Sequence, residues 1–290
     1  MEVSTIVNLY LRSLKSAKKS QHTINAYERN INEFIRKNNI QSIEEFKNHD
    51  LTFMFDYVDS LNEQFEANTV NQKIATIKTF YKFLLKQDII EKNVTKAIEE
   101  VAVGEKIYPV LDSTEVNRLL EVSNRLYLED KLLYIRNKLI IRIFLENGLR
   151  AFEMENLRLS NINYEKKRIL IKGKWNIERY VFLNDSTYML LLEYLEIREQ
   201  YMVRGDDKDF IFITKKGTRL KKRALQDMTD KYIKAAEVTE VSTHGLRHTC
   251  ATNLYDKGYS MKDIQTILGH KRISTTEKYI HALNLQRALA

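Results

Sequence analysis

One proline interrupts 290 residues, and it sits where the chain has to divide. Pro109 and Gly104 bracket the segment Gly-Glu-Lys-Ile-Tyr-Pro. Proline withholds a backbone N–H and glycine adds backbone freedom, so the pair punctuates packed structure. We place the interdomain linker there, with one domain over 1–103 and a second over 108–290. Two domains also match the length of the chain. Just past the linker, Asp112 or Ser113 is positioned to cap a helix, and Glu115 to complete a capping box.

The two sides of the linker follow different hydrophobic periods. Before it, Ile24, Tyr27, Ile31, Phe34 and Ile35 recur at helical spacing after Thr23. Thr69 to Lys86 sets Val70, Ile74, Ile77, Tyr81 and Leu84 on one face, with Asn71, Lys78 and Lys82 opposite. After it, Lys131 to Asn147 predicts a strongly apolar helix stopped by Gly148. Arg168 to Leu183 alternates apolar and polar residues around Trp175-Asn176, the pattern of a β-hairpin. Helices are expected at about 185–203, 218–235, 244–257, 260–268 and 274–282. The fold class is therefore mainly α: a small helical domain, then a mostly helical α/β domain with one small antiparallel sheet.

The charge is as uneven as the pattern. Residues 1–103 hold 14 basic and 14 acidic side chains, so the whole net charge of +8 belongs to the rest, with 33 basic against 25 acidic. A basic excess confined to one part points to a polyanionic partner there. The single cysteine, Cys250, excludes an intramolecular disulfide and fits a reducing cytoplasm. Met1 to Lys19 contains no apolar run of signal-peptide type, and no window reaches the roughly 18 apolar residues of a membrane span. A cytoplasmic protein is expected.

Three stretches carry candidate chemistry. Asn147-Gly148-Leu149-Arg150-Ala151-Phe152-Glu153 puts an arginine at a helix break and a glutamate three residues on. Thr243-His244-Gly245-Leu246-Arg247-His248 puts His244 and Arg247 on one helical face. Zinc at His244 and His248 is disfavoured, because Gly245 stands where the metalloprotease pattern needs glutamate. Leu268-Gly269-His270 is followed by Ser274-Thr275-Thr276, Tyr279 and His281. Singly, each has an ordinary structural explanation; their order and joint spacing are the signal.

That ordered set, Gly-Leu-Arg-x-x-Glu, His-x-Leu-Arg-His, Leu-Gly-His and a tyrosine nine residues later, resembles the tyrosine recombinase (phage integrase) family, most closely its short Xer-type members. The resemblance extends over nearly the whole chain. It implies an N-terminal SAM-like, DNA-clamping core-binding domain and a C-terminal catalytic domain. It also implies that Arg150, Arg247, His244, His270 and Tyr279 are catalytic, with Glu153 supporting the first arginine. Gly173-Lys174-Trp175-Asn176-Ile177-Glu178-Arg179 aligns with the family's β-hairpin lysine turn, which makes Lys174 the preferred lysine and leaves Lys172 as the alternative. Phe152 stands where serine is usual, Trp175 where glycine is, and Thr243 where proline is frequent.

The chemistry implied is phosphoryl transfer without cofactor or metal. Two guanidiniums suit the extra negative charge of a pentacoordinate phosphorus, since each stays ionised and grips phosphate with parallel donors. His244 would accept the phenol proton of Tyr279 and Lys174 would protonate the leaving 5′-oxygen. A 3′-phosphotyrosine conserves the broken bond's energy, so no nucleotide is consumed. The partner implied is double-stranded DNA, bound by a tetramer on two sites, with a partner recombinase or accessory protein left open and no membrane involved. Phosphate contacts are expected from Lys78 and Lys82, and from the basic stretch holding Lys215, Lys216, Arg219, Lys221, Lys222 and Arg223. The apolar residues Leu283, Leu285 and Leu289 after the nucleophile suggest a docking tail. A type IB topoisomerase-like relaxing enzyme and a non-catalytic DNA-binding relic are the rival readings.

Overall fold

The computed structural model describes residues 2–104, 108–173, 178–201 and 205–269. It divides into two compact units, Met1–Glu105 and Lys106–Ala290. Among the described residues, no helix is long and apolar enough to cross a membrane.

The first unit is helical: α1 (Val3–Ser16), α2 (Gln21–Lys37), α3 (Ile43–Asn48), α4 (Leu51–Asn62) and α5 (Ala67–Lys86), with a 3-10 turn at Val94–Ala97. Caps define the starts. Ser20 accepts the Thr23 N–H at 3.2 Å, so α2 begins two residues before the expected Thr23. Ile31, Phe34, Leu61, Val70, Phe80 and Leu84 are completely buried, and with Ile24, Ile74 and Tyr81 they form one core.

The second unit opens with α6 (Ser113–Ser123), where Asp112 and Glu115 form the expected capping box. Helix α7 (Lys131–Asn147) is covered nearly all round, its buried residues including Arg136 and Asn137: α6, α9 (Asp185–Glu199) and α11 (Thr243–Asp256) all pack on it. Its stop is steric as well as conformational. Gly148 has φ +59°, and a Cβ there would stand 2.5 Å from a Leu268 methyl. Cys250, Ala251, Ile264 and Leu268 then seat α12 (Met261–Leu268) on α11.

The hairpin forms as expected from β2 (Arg168–Lys172) and β3 (Glu178–Phe182), antiparallel, with Ile171 opposite Arg179 and Lys172 opposite Glu178. A third strand, β1 (Ile162–Asn163), extends the sheet to the order β1-β2-β3; two residues are too short to show alternation in a sequence. Side chains alternate across β3, so Arg179 shares its face with buried Val181 while Glu178, Tyr180 and Phe182 are exposed.

Two expected helices change bounds. Helix α9 ends at Glu199 and not at 203. Helix α10 (Lys222–Ala236) starts four residues later than the expected 218, because Thr214 to Leu220 is spent on a turn. There Gly217 adopts φ +72° and the Leu220 N–H returns to the Phe212 carbonyl at 2.9 Å. The expected helix at 274–282 lies outside the described residues. A short helix, α8 (Ala151–Glu155), follows the stop of α7 and begins the site.

Candidate active site

Arg150 is the N-cap of α8, and Glu153 is its third helical residue. From that position the Glu153 carboxylate turns back, and Oε2 accepts the Arg150 backbone N–H at 2.9 Å. This is the acidic half of a capping box. The same turn brings Oε1 within 2.8 Å of Arg150 Nη1. Local helix-start chemistry is thus enough to pair the two residues.

Arg247 arrives from α11, whose N-cap Ser242 accepts the backbone N–H groups of His244 and Gly245. The Arg247 side chain is fully buried. Nη1 donates to the Gly148 carbonyl and Nη2 to the Leu268 carbonyl, each at 2.7 Å. Nη1 also lies 3.8 Å from Glu153 Oε2. Arg247 therefore ties the stop of α7 to the end of α12 and adds a second positive charge beside Glu153.

A third guanidinium completes the cluster. Arg179 reaches inward from β3 and grips both Glu153 oxygens, at 2.9 and 2.8 Å, while its Nε donates to the Ile267 carbonyl at 3.1 Å. Arg150 Nη2 makes a longer contact, 3.4 Å, to the Gly269 carbonyl. Three successive carbonyls at the end of α12 are thus each met by a different arginine, where a helix leaves acceptors unsatisfied and its dipole is negative. Sequence reading placed Arg179 in the hairpin motif but assigned it no role. Its inward strand position, two residues before Val181, was the available signal.

The electrostatics follow from this crowding. Burial alone would raise the Glu153 pKa, but hydrogen bonds and charge from Arg179, then from Arg150, bring it down to about 2. Glu153 is ionised at neutral pH, and so are the guanidiniums. Among the described residues, three guanidiniums face this one carboxylate. His244 is held below the ordinary histidine value by burial and by the charges of Arg247 and Arg150, so it is a neutral imidazole able to accept a proton at pH 7. Behind it His248 stands edge-on with ring centroids 4.6 Å apart, and burial followed by the charges of His244 and Arg247 lowers it to about 3.

The expected set is therefore only partly in view. Arg150, Glu153, His244 and Arg247 come together, whereas Lys174, His270, Tyr279 and the apolar tail lie outside the described residues. The alternative lysine, Lys172, is on the exposed face of β2, 3.6 Å from Glu178. Phe152, which stands where the family usually has serine, is 47 % exposed. Among the described residues, no group of three His, Cys, Asp or Glu side chains is arranged to hold a metal ion.

The expected phosphate contacts divide into exposed and internally engaged cations. Lys82, Lys216, Lys221 and Lys222 are exposed. Lys215 is exposed but paired with Asp130 at 2.5 Å, and Arg223 with Asp227 at 3.0 Å. Lys78 instead donates to the Ile98 carbonyl, while Asn71 bonds both N–H and C=O of Val101. That face of α5 fastens the segment after the 3-10 turn. Arg219 is tucked in, pairing with Glu155 at 2.9 Å, bonding Asn156 and covering the Phe210 ring.

Comparison with known proteins agrees with this layout. The family pattern described as Phage integrase family matches residues 109–285, and the Phage integrase, N-terminal SAM-like domain matches 7–88. Tyrosine recombinase XerC of Listeria innocua serovar 6a is 31% identical over 265 residues, covering 90% of this chain and 87% of that protein. XerC of Bacillus pumilus is 28% identical over 288 residues, covering 95% and 91%. The crystal structure of XerH site-specific recombinase bound to palindromic difH substrate, in its post-cleavage complex, superposes with a TM-score of 0.75 at 26% identity, covering 92% of this chain and 78% of that one. This chain belongs to the phage integrase family. It is a tyrosine recombinase, an enzyme that cuts and rejoins DNA strands in site-specific recombination, and the topoisomerase-like and relic readings are not favoured.

Proposed function

We propose that the arginine cluster receives the scissile phosphate of duplex DNA and that Tyr279 attacks it. The observation that carries this reading is the convergence of three guanidiniums on Glu153 among the described residues. Such a concentration of fixed positive charge is complementary to a phosphodiester, and more so to its pentacoordinate transition state. Arg150, with 38% of its side chain exposed, is the member with room for phosphate oxygens. Arg247, buried and bonded to the Gly148 and Leu268 carbonyls, contributes charge and holds the end of α7 to the end of α12.

In this reading the Tyr279 oxygen bonds to phosphorus as the bond to the 5′-oxygen breaks. The phenol proton passes to neutral His244, and Lys174 supplies a proton to the departing oxygen. His270 adds a hydrogen bond to the phosphate. Lys174 is preferred to Lys172 because it falls in the turn segment of the hairpin motif, whereas Lys172 belongs to β2 and lies 3.6 Å from Glu178. Glu153 fixes Arg150 through both backbone and side chain. The exposed cations Lys82, Lys216, Lys221 and Lys222 contact phosphates along the duplex, with Lys215 and Arg223 exchanging a surface carboxylate for DNA. Strand exchange between two sites requires four nucleophiles, hence a tetramer, with the segment holding Leu283, Leu285 and Leu289 as the coupling between protomers.

A nicked suicide duplex tests the core of this reading. The wild-type chain should leave a denaturation-resistant protein–DNA adduct in excess chelator, and Tyr279→Phe should leave none while still binding the duplex. An adduct from Tyr279→Phe would sink it. Truncation after Ala282 tests the coupling: assembly of two duplexes should fail while binding to one persists, and normal recombination by the truncated chain would remove the coupling from the account.

A further inference from the structure

Glu153 has acceptor directions for about four donors, and four donors occupy them. Oε1 takes Arg150 Nη1 and Arg179 Nη1; Oε2 takes the Arg150 backbone N–H and Arg179 Nη2. Arg179 thus uses the parallel two-bond fork that a guanidinium and a carboxylate ordinarily form, and Arg150 is left with a single side-chain bond to Glu153. Without Arg179, the carboxylate would be free to make that fork with Arg150. The Arg150 donors would then point at Glu153 instead of outward, and one of the three guanidiniums gathered there among the described residues would be lost.

Geometry holds Arg179 in this role. Its strand position opposite Ile171 turns it inward, and Val181 beside it is buried. Gly269 has φ +67°, and a Cβ there would lie 3.0 Å from Arg179 Nη1, so the glycine of Leu-Gly-His leaves space for this guanidinium. Arg179 Nε holds the Ile267 carbonyl three residues before His270.

We infer that Arg179 is a positioning residue, one that saturates Glu153 and so keeps the Arg150 guanidinium open to phosphate. This rests on the reading of Arg150 given above. It requires that loss of Arg179 resemble a loss of phosphate charge stabilisation and leave the leaving group unaffected.

Single-turnover cleavage on nicked duplexes, carrying the site recovered by trapping the wild-type chain on genomic fragments, separates these. Arg179→Gln should cleave about a hundredfold more slowly, the scale of a small misplacement at a reacting centre, with duplex affinity within a few-fold of wild type. A methylphosphonate at the scissile position removes the oxygen charge that Arg150 serves, so the defect should shrink to a few-fold. A 5′-bridging sulfur, which departs without a proton, should leave the defect unchanged. Arg179→Lys should recover part of the rate, since an ammonium restores charge but not the fork. If Arg179→Gln melts below the assay temperature, Arg179→Lys carries the same comparison with a smaller defect. Wild-type cleavage by Arg179→Gln, or relief by sulfur in place of methylphosphonate, overturns the inference. Arg150→Ala on the same substrates tells the two levels apart. If methylphosphonate relieves Arg150→Ala but not Arg179→Gln, only this inference falls; if it relieves neither, the role of Arg150 falls too.

Discussion

In the first unit, Lys73 reaches Glu33 at 2.5 Å beneath the Phe65 ring, and Asn30 bonds Thr76 nearby. In the second, Arg150, Arg179 and Arg247 converge on Glu153. Both are ion pairs withdrawn from water, and both join elements distant in sequence. The first is balanced one to one and holds α2 against α5. The second gathers three guanidiniums about one carboxylate among the described residues, a costly arrangement without a further anion. Stability alone accounts for the balanced pair, whereas the second cluster is the one that the proposed phosphate would complete.

Removing charge from each cluster should therefore have unequal consequences. Arg150→Ala should slow covalent-adduct formation by about 10²–10³-fold, the scale of one preorganised donor lost from a developing oxyanion, while a thermal melt moves little. Lys73→Met should leave the cleavage rate per folded molecule at the wild-type value. If Lys73→Met slowed cleavage as much as Arg150→Ala, the contrast between the two clusters would fail.

Stability should reverse the emphasis. Glu153→Gln removes the carboxylate that three buried or half-buried guanidiniums share and should cost about 3–5 kcal/mol in denaturant unfolding. Lys73→Met leaves Glu33 at a partly exposed position and should cost about 1–3 kcal/mol. Equal losses would mean that the second cluster is no more strained than the first.

Acid should expose the same asymmetry. Glu153 titrates at about 2 in the folded chain, against an ordinary carboxylate value of 4.5. A depressed folded pKa contributes stability that is complete above 4.5 and is lost as pH falls toward 2. Chemical-denaturation midpoints should fall through that window in the wild type and fall less steeply in Glu153→Gln. Separately, the acid limb of the cleavage rate should lie below pH 6.5, because His244 is held under that value by burial, Arg247 and Arg150. A limb at or above 6.5 would remove His244 as the base.

The smallest effects belong to the surface. Lys216→Ala, Lys221→Ala and Lys222→Ala should each reduce the salt slope of DNA binding by about 1. Arg219→Ala, already engaged with Glu155, should leave the slope alone and lower the melting temperature instead. A slope change at Arg219 matching those of the lysines would show that its internal pair gives way to DNA.

Much of this was legible in the residues because it is local. Helix α7 could be bounded to the residue, since Asp130 caps it and Gly148 ends it in the left-handed region that glycine tolerates. The Arg150–Glu153 pair follows from spacing at a helix start, and His244 with Arg247 from the helical repeat. The late start of α10 was missed because Lys-Lys-Gly-Thr-Arg reads equally well as the approach to a helix or as a turn. Only the pairing of Leu220 with Phe212 decides it. The two-residue strand β1 exists through its partner alone.

Charge shows the division most clearly. The order Arg, His-x-x-Arg, Leu-Gly-His, Tyr was written in the sequence by itself, and with it the family and the chemistry, because a reaction selects residue types that no fold supplies by chance. Which cations are already engaged inside the protein was decided by the tertiary structure. Lys78 and Arg219 look like phosphate ligands in a basic sequence, yet one holds the Ile98 carbonyl and the other Glu155. Arg179, 26 residues from Glu153, takes half of that carboxylate's acceptor sites. A sequence states how many charges there are, but whether a charge is already neutralised depends on partners brought together only when strands and helices pack.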